Sequence, residues 1–432
     1  MRQEWAGRGG IIKVIASIIR IVTMSQRARK LIFGTILIAA AAFAADTAKP
    51  APTFAKDVAP ILYKNCTTCH RPGEIAPMSL LNYKETRPWA KSIKQAVAAR
   101  VMPPWFADPA VGHFSNDTRL KVEDVDTIVR WVDAGAPEGN PAEMPAAPKY
   151  VEGWVLGKPD VVIEMPEAFE VPAQGVIPYK YFSAPTNFTE DKWIRGVEIR
   201  AGNRAVVHHI ILMLQPAGTP PTGAILPGMQ LAGTAPGVQP RFYPDGVAKQ
   251  IKAGSLIVFQ MHYTPNGKAV SDKSYVGLYF AKEPPREIAK GGGILNFGFK
   301  IPAGDPNYEV KSNWVAPEDI LLTGMTPHMH VRGKDFKFTA YYPDGRSEVL
   351  LNVPHYDFNW QLHYTLQDPM HLPKGTRIEC IAHYDNSVNN KFNPDPTKDV
   401  HWGDQTFEEM MIGFFDYLPD HNPVAKTVAA NR

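Results

Sequence analysis

Two cysteines and a histidine stand together in NCTTCH, residues 65–70, in a chain of 432 residues that holds only three cysteines. Cys66 and Cys69 are two residues apart and His70 follows at once, giving C-x-x-C-H. That spacing suits covalent attachment of a c-type haem: the thiols add to the vinyl groups and the imidazole reaches the iron. Zinc could use the same three groups, but no second cysteine pair follows at finger spacing. A redox dithiol would need a β-α-β surrounding, which the sequence lacks. The third cysteine, Cys380, lies in the strand-like run RIECIAHY and reads as a buried, inert thiol.

A haem that carries electrons often has methionine as its second axial ligand. Met78 is eight residues past His70, too near to wrap to the other face. Met102, in RVMPPW, follows a helical segment, and two prolines stiffen the loop that presents it. Met102 is the expected ligand.

Histidines form a second group. His208 and His209 are adjacent in VVHHIILML, His262 ends IVFQMH, and His328 and His330 make an H-x-H. Alternate residues of a strand face one side, so His328 and His330 can grip one ion while Met329 faces away. Adjacent residues face apart, so His208 and His209 can share an ion only if the strand bulges or twists near residue 208. Imidazoles in an apolar strand are costly unless something satisfies them. Together these groups suggest two metal sites.

The elements that must position these groups differ along the chain. Around C-x-x-C-H, the segments TFAKDVAPILYKN, YKETRPWAKSIKQAVAAR and KVEDVDTIVRWVDAGAPEG have helical spacing and helical stop signals. APEGNPAEMPAAPK reads as a proline-stiffened linker. Beyond it, runs such as WIRGVEIR, SLIVFQMHY, FKFTAYY and MMIGFFDY are short, rich in β-branched and aromatic residues, and separated by turn formers. The region is too long for one sandwich and suits two in series, with a seam near residues 281–293.

Residues 1–45 read as an upstream extension and a signal peptide: Arg27, Arg29 and Lys30, then an apolar run from Leu31 to Phe43, then small residues. The run is short for a membrane span, so no stable span is expected in the mature form. This leader holds seven Lys/Arg against one acid, so of the net +3 of the whole chain the remainder carries −3. A mildly acidic remainder offers no case for nucleic acid. The expected address is periplasmic or secreted.

Two resemblances follow from these motifs. Residues 52 to about 140, with the MPPW loop and the IVRWVDAGAP helix, resemble a small class I cytochrome c. VVHHIILML, QMHY (260–263), HMHVRGK (328–334) and DQTFEEMMIGFFDY (404–417) resemble, in order, four segments of the copper type II, ascorbate-dependent monooxygenases, the family of peptidylglycine and dopamine monooxygenases. The second resemblance implies two copper ions: one held by His208, His209 and His262, the other by His328, His330 and Met410, with Met411 the alternative thioether. It implies that the ions sit apart across an open cleft, and that the Met-ligated one meets oxygen and attacks a C–H bond. Soft sulfur beside two imidazoles favours Cu(I). Zinc is the chemical rival at either set, and the methionine argues against it at the second.

Three departures accompany the resemblance. Where the peptide-hydroxylating members hold a substrate carboxylate with arginine, asparagine and tyrosine, this chain has Thr326, Ile412 and Phe414. The chain lacks the disulfides of the animal enzymes, and it adds a haem motif. The expected fold is multidomain: an all-α cytochrome c domain over 52–136, a linker over 137–150, and two all-β, jelly-roll-like sandwich domains over 151–285 and 290–432. The expected function is hydroxylation of a non-peptide small molecule with molecular oxygen, using one covalent haem c and two coppers, with electrons from a periplasmic donor entering through the haem. The alternative is a periplasmic electron-transfer or copper-binding protein without monooxygenase activity.

Overall fold

The computed structural model describes residues 50–72, 74, 76–150, 153–216, 218–219 and 229–421. The signal-peptide reading of residues 1–45 lies outside them. The described residues from Thr53 onward form one compact unit.

Strand dominates. Residues 161–288 build a five-stranded sheet and a four-stranded sheet. The four strands run in the order Lys180–Pro185, Leu256–Tyr263, Val207–Gln215, Gln230–Thr234. Ile194, Val276 and Leu278 from one sheet and Phe182, Leu212 and Phe259 from the other close a shared core. Residues 290–419 repeat the plan with two four-stranded sheets. One runs Lys290–Leu295, Ile412–Pro419, Ile320–His328, Tyr364–Leu372; the other includes Gly333–Tyr341 and Arg377–Tyr384. Phe336, Phe338, Cys380, Tyr384 and Phe415 fill the core between them.

Strand burial separates outer surfaces from the middle of the molecule. Arg377–Tyr384 alternates strictly between buried and half-buried residues, as a strand with one covered face must. Val207–Gln215 and Leu256–Tyr263 are buried at nearly every position. Their continuous apolar sequence is explained by two covered faces. Ile210, Leu212, Phe259 and Met261 point into their own core, while Ile211, Met213 and Val258 form a separate cluster against Phe414 of the other half.

The helical segment corrects the expected fold class. Its helices are short: Ala59–Asn65, extended backward by a π-turn at Phe54–Val58, then Tyr83–Thr86, Ala90–Ala98 and Val122–Asp133. They share a small core around Phe54, Leu62, Ile93 and Trp131. Between the last two helices, however, the chain leaves them. Trp105, Ala107 and Phe114 are built into the core of the 290–419 half. The amides of Asp108 and Ser115 donate to Asn352 and Thr365, and Phe114 bridges Leu366. No self-contained all-α cytochrome domain in series with two sandwich domains is present among the described residues. The aromatics after Met102 gain more burial against a β-core than a few short helices can offer.

Candidate metal centre

The paired-histidine strand and the His262 strand are antiparallel neighbours, and His209 lies directly opposite His262. The register slips between Val207 and His209. This bulge is what the sequence requires, because it turns His208 to the same side as His209. The Nδ1 atoms of His208 and His262 lie 3.2 and 3.4 Å from that of His209. Imidazole nitrogens bound at about 2.0–2.1 Å to a tetrahedral ion sit about 3.4 Å apart, so the three residues fit a metal. Burial pushes all three imidazoles down, His262 to about 3 and His209 well below its usual range, with the neighbouring histidines adding to the effect on both. They are neutral at physiological pH, as metal ligands would have to be.

His328 is the last residue of its strand and His330 lies just beyond it. Met329 between them is buried in the core of its own half, so the two imidazoles share the opposite face. Their rings are 5.3 Å apart at 86°. Nδ1 of His328 donates to Gln361 Oε1 at 2.5 Å, and Nδ1 of His330 donates to the Glu408 carbonyl at 3.1 Å. These bonds fix the tautomer and leave each Nε2 as a bare lone pair. Both Nε2 atoms are buried without a partner. A metal ion would satisfy them.

The segment carrying Met410 is clamped to this loop. The Glu409 carboxylate accepts from the backbone amides of His330 (2.8 Å) and Arg332 (2.7 Å). Burial pushes Glu409 up to about 8 against those amides and the Arg332 guanidinium. Arg332, itself buried, donates to Asn386 Oδ1 and to the Phe407 carbonyl, both at 3.0 Å. Met411 enters the core of the 290–419 half. Met410 is equally buried but is no part of that core, and the Tyr384 hydroxyl donates to its carbonyl at 2.7 Å. Of the two thioethers, Met410 is the one not committed to that core.

The two sets are not separated by an open cleft, as the family resemblance implies. The Tyr179 ring lies 5.5 Å from His209, 4.9 Å from His262 and 6.2 Å from His330. Phe358 stacks on His208 at 5.6 Å and lies 5.7 Å from His262 and 6.0 Å from His330. Each ring therefore touches histidines of both sets, and His209, His262, His328 and His330 are all buried. Beside the second set, Phe414 packs 6.1 Å from His328 and Ile412 lies opposite it in register. Thr326 bonds to His363 Nδ1 at 2.9 Å. The wall that would face a substrate is thus largely apolar.

At the C-x-x-C-H motif, the amides of Cys69 and His70 donate to the Cys66 carbonyl at 3.1 and 2.9 Å, winding the motif into one tight turn. Both thiols are free. Burial raises both, Cys66 to about 12. His70 Nδ1 donates to the Met78 carbonyl at 3.3 Å, which leaves Nε2 available and ties Met78 to the His70 side. Free thiols and an imidazole with its Nε2 open are the groups that covalent attachment of a haem would need. Met102 is half-buried just after Ala90–Ala98, and its amide donates to the Ala96 carbonyl.

Sequence reasoning missed Tyr179, Phe358, Gln361 and Glu409. Only Glu409 carried a signal, as an acid beside the candidate thioether. Asn386 is fully buried and accepts from Arg332. His383 bonds to Asp335 at 2.7 Å and joins neither set.

No family model and no curated protein matches the chain. Among solved structures, the major capsid protein P2 from Bacteriophage PM2 aligns with 61% of this chain and 99% of its own at 9% identity, with a TM-score of 0.27. A structure of the infectious bursal disease virus Gx strain aligns over 63% and 81% at 8% identity, with a TM-score of 0.16. Scores this low define no shared fold.

Proposed function

We propose that this protein is an exported, haem c-containing copper monooxygenase. It hydroxylates a C–H bond of a non-peptide small molecule, with electrons entering from a periplasmic donor through the haem. The balance is R–H + O2 + 2e− + 2H+ giving R–OH + H2O. The observation that carries the reading is the convergence of His208, His209 and His262 on one point, beside the buried, bare Nε2 atoms of His328 and His330. Copper, when bound, supplies one-electron exchange and reductive activation of oxygen, and a thioether from Met410 favours its reduced form. The chain's own groups do the rest. Gln361 and the Glu408 carbonyl hold the imidazole tautomers, Glu409 fixes the loop, Tyr179 and Phe358 keep water out, and Phe414 with Ile412 offers apolar contact to a substrate.

Electron entry is supported by the path of the Met102 loop. Pro104 and Trp360 flank Gly237 together with Leu362. The same short loop, residues 357–362, carries Phe358 and Gln361 against the histidines. The loop that would supply the axial methionine therefore packs beside the one that lines the metal sets.

Full burial of the second set favours a second reading, an electron-transfer or copper-binding protein without oxygen chemistry. Protein made in an exporting, haem-maturing host separates the two. The first reading expects one covalent haem, two coppers, and one O2 consumed per hydroxyl formed on an apolar small molecule. Copper and haem present, with oxygen uptake never matched by hydroxylated product, would favour the second. Absence of copper would end the first reading and leave of the second only electron transfer through the haem.

A further inference from the structure

We infer that the two histidine sets are charge-coupled, so that the chamber accepts two monovalent copper ions much more readily than two divalent ones. The inference rests on the reading of both sets as copper ligands.

The argument starts from the rings between the sets. Tyr179 contacts His209 and His262 on one side and His330 on the other, and Phe358 contacts His208, His262 and His330. Two ions held there would be separated by aromatic carbon rather than by water. Every candidate ligand is neutral: five imidazoles and a thioether. The nearest carboxylates compensate little. Glu409 is engaged by two backbone amides and lies 3.9 Å from the Arg332 guanidinium. Asp357 acts on His208 and on Tyr356, and touches no other candidate ligand's electrostatics among the described residues. Repulsion scales with the product of the charges, so two dications repel about fourfold more than two monocations at the same separation. By reciprocity, an ion at either set weakens a second divalent ion at the other by the same factor.

The test uses the haem-containing protein freed of copper, titrated under anaerobic conditions against a competing chelator. Three proteins are compared: wild type, a variant keeping only the first set (His328→Ala with His330→Ala), and one keeping only the second (His208→Ala with His209→Ala). Cu(I) should fill both sets of the wild type with affinities close to those of the single-set variants. The second Cu(II) should bind the wild type about tenfold or more weakly than the corresponding single-set variant binds it. Zn(II), which exchanges no electrons, should repeat the Cu(II) pattern. If a double alanine variant fails to fold, glutamine at the same positions keeps the volume and serves in its place.

Two Cu(II) ions binding the wild type as tightly as they bind the single-set variants would overturn the coupling while leaving the copper reading intact. Failure of either ion to bind at the histidines would sink the copper reading and the coupling together.

Discussion

The two histidine sets are built in opposite ways. In the first, the three Nδ1 atoms face one another. The sheet brings them together, and no protein acceptor stands between them. In the second, each Nδ1 is already bonded to a group outside the set, and the ligand nitrogen is left bare. An ion would thus complete the first set, whereas the second is pre-organised by its surroundings. Removing a supporting residue should therefore hurt the second set, while only a ligand should hurt the first.

The largest expected effect comes from His330→Ala. It should remove one of two copper equivalents and abolish hydroxylation while leaving the haem spectrum intact, as metal analysis and product assay would show. Retention of two copper equivalents would place the second site elsewhere. Next is Gln361→Leu, which frees the His328 ring. Affinity at the second set should fall roughly 10–100-fold with the first set unchanged. An equal fall at both sets would erase the contrast.

Acid should distinguish metal-free from loaded protein. His262 and His328 are held down to about 3 and about 4 by burial, against an ordinary value of 6.5. Between those limits the unfolded chain binds more protons than the folded one, so stability falls as pH drops below 6.5 and is fully present above it. Each residue contributes on the order of 3 kcal/mol. Metal-free protein should lose thermal stability progressively from pH 6.5 to 4, and loaded protein should resist longer. A metal-free melting curve flat across that range would show that these histidines are not buried neutral.

The smallest effect is expected from Thr326→Val. Loss of the bond to His363 should cost about 1 kcal/mol in denaturant unfolding and leave the copper content at two. A change in copper content would show that this position, like its neighbour His328, belongs to the metal set.

The legible parts of the site are those carried by strand periodicity. The alternation at 328–330 placed Met329 in the core, and the adjacency of His208 and His209 demanded a bulge, which lies between Val207 and His209. Both inferences need only the two-residue repeat of a strand. Met411 packs into the core, which leaves Met410 as the uncommitted thioether of the pair. The segment after Met102 was misread because Trp105 and Phe114 carry no mark of which core will take them.

By itself the sequence marked the candidate haem and metal ligands, and the short elements on which they lie. It did so because ligand type and local spacing are properties of a few consecutive residues. Only the tertiary structure decided that the helices would be stitched to the 290–419 half by residues 105–116. The same holds for Tyr179 and Phe358, which close over both histidine sets, and for Gln361, which selects the His328 tautomer. Those contacts join residues far apart in the chain through irregular loops. No period or motif encodes them, and they are fixed only when whole sheets pack face to face.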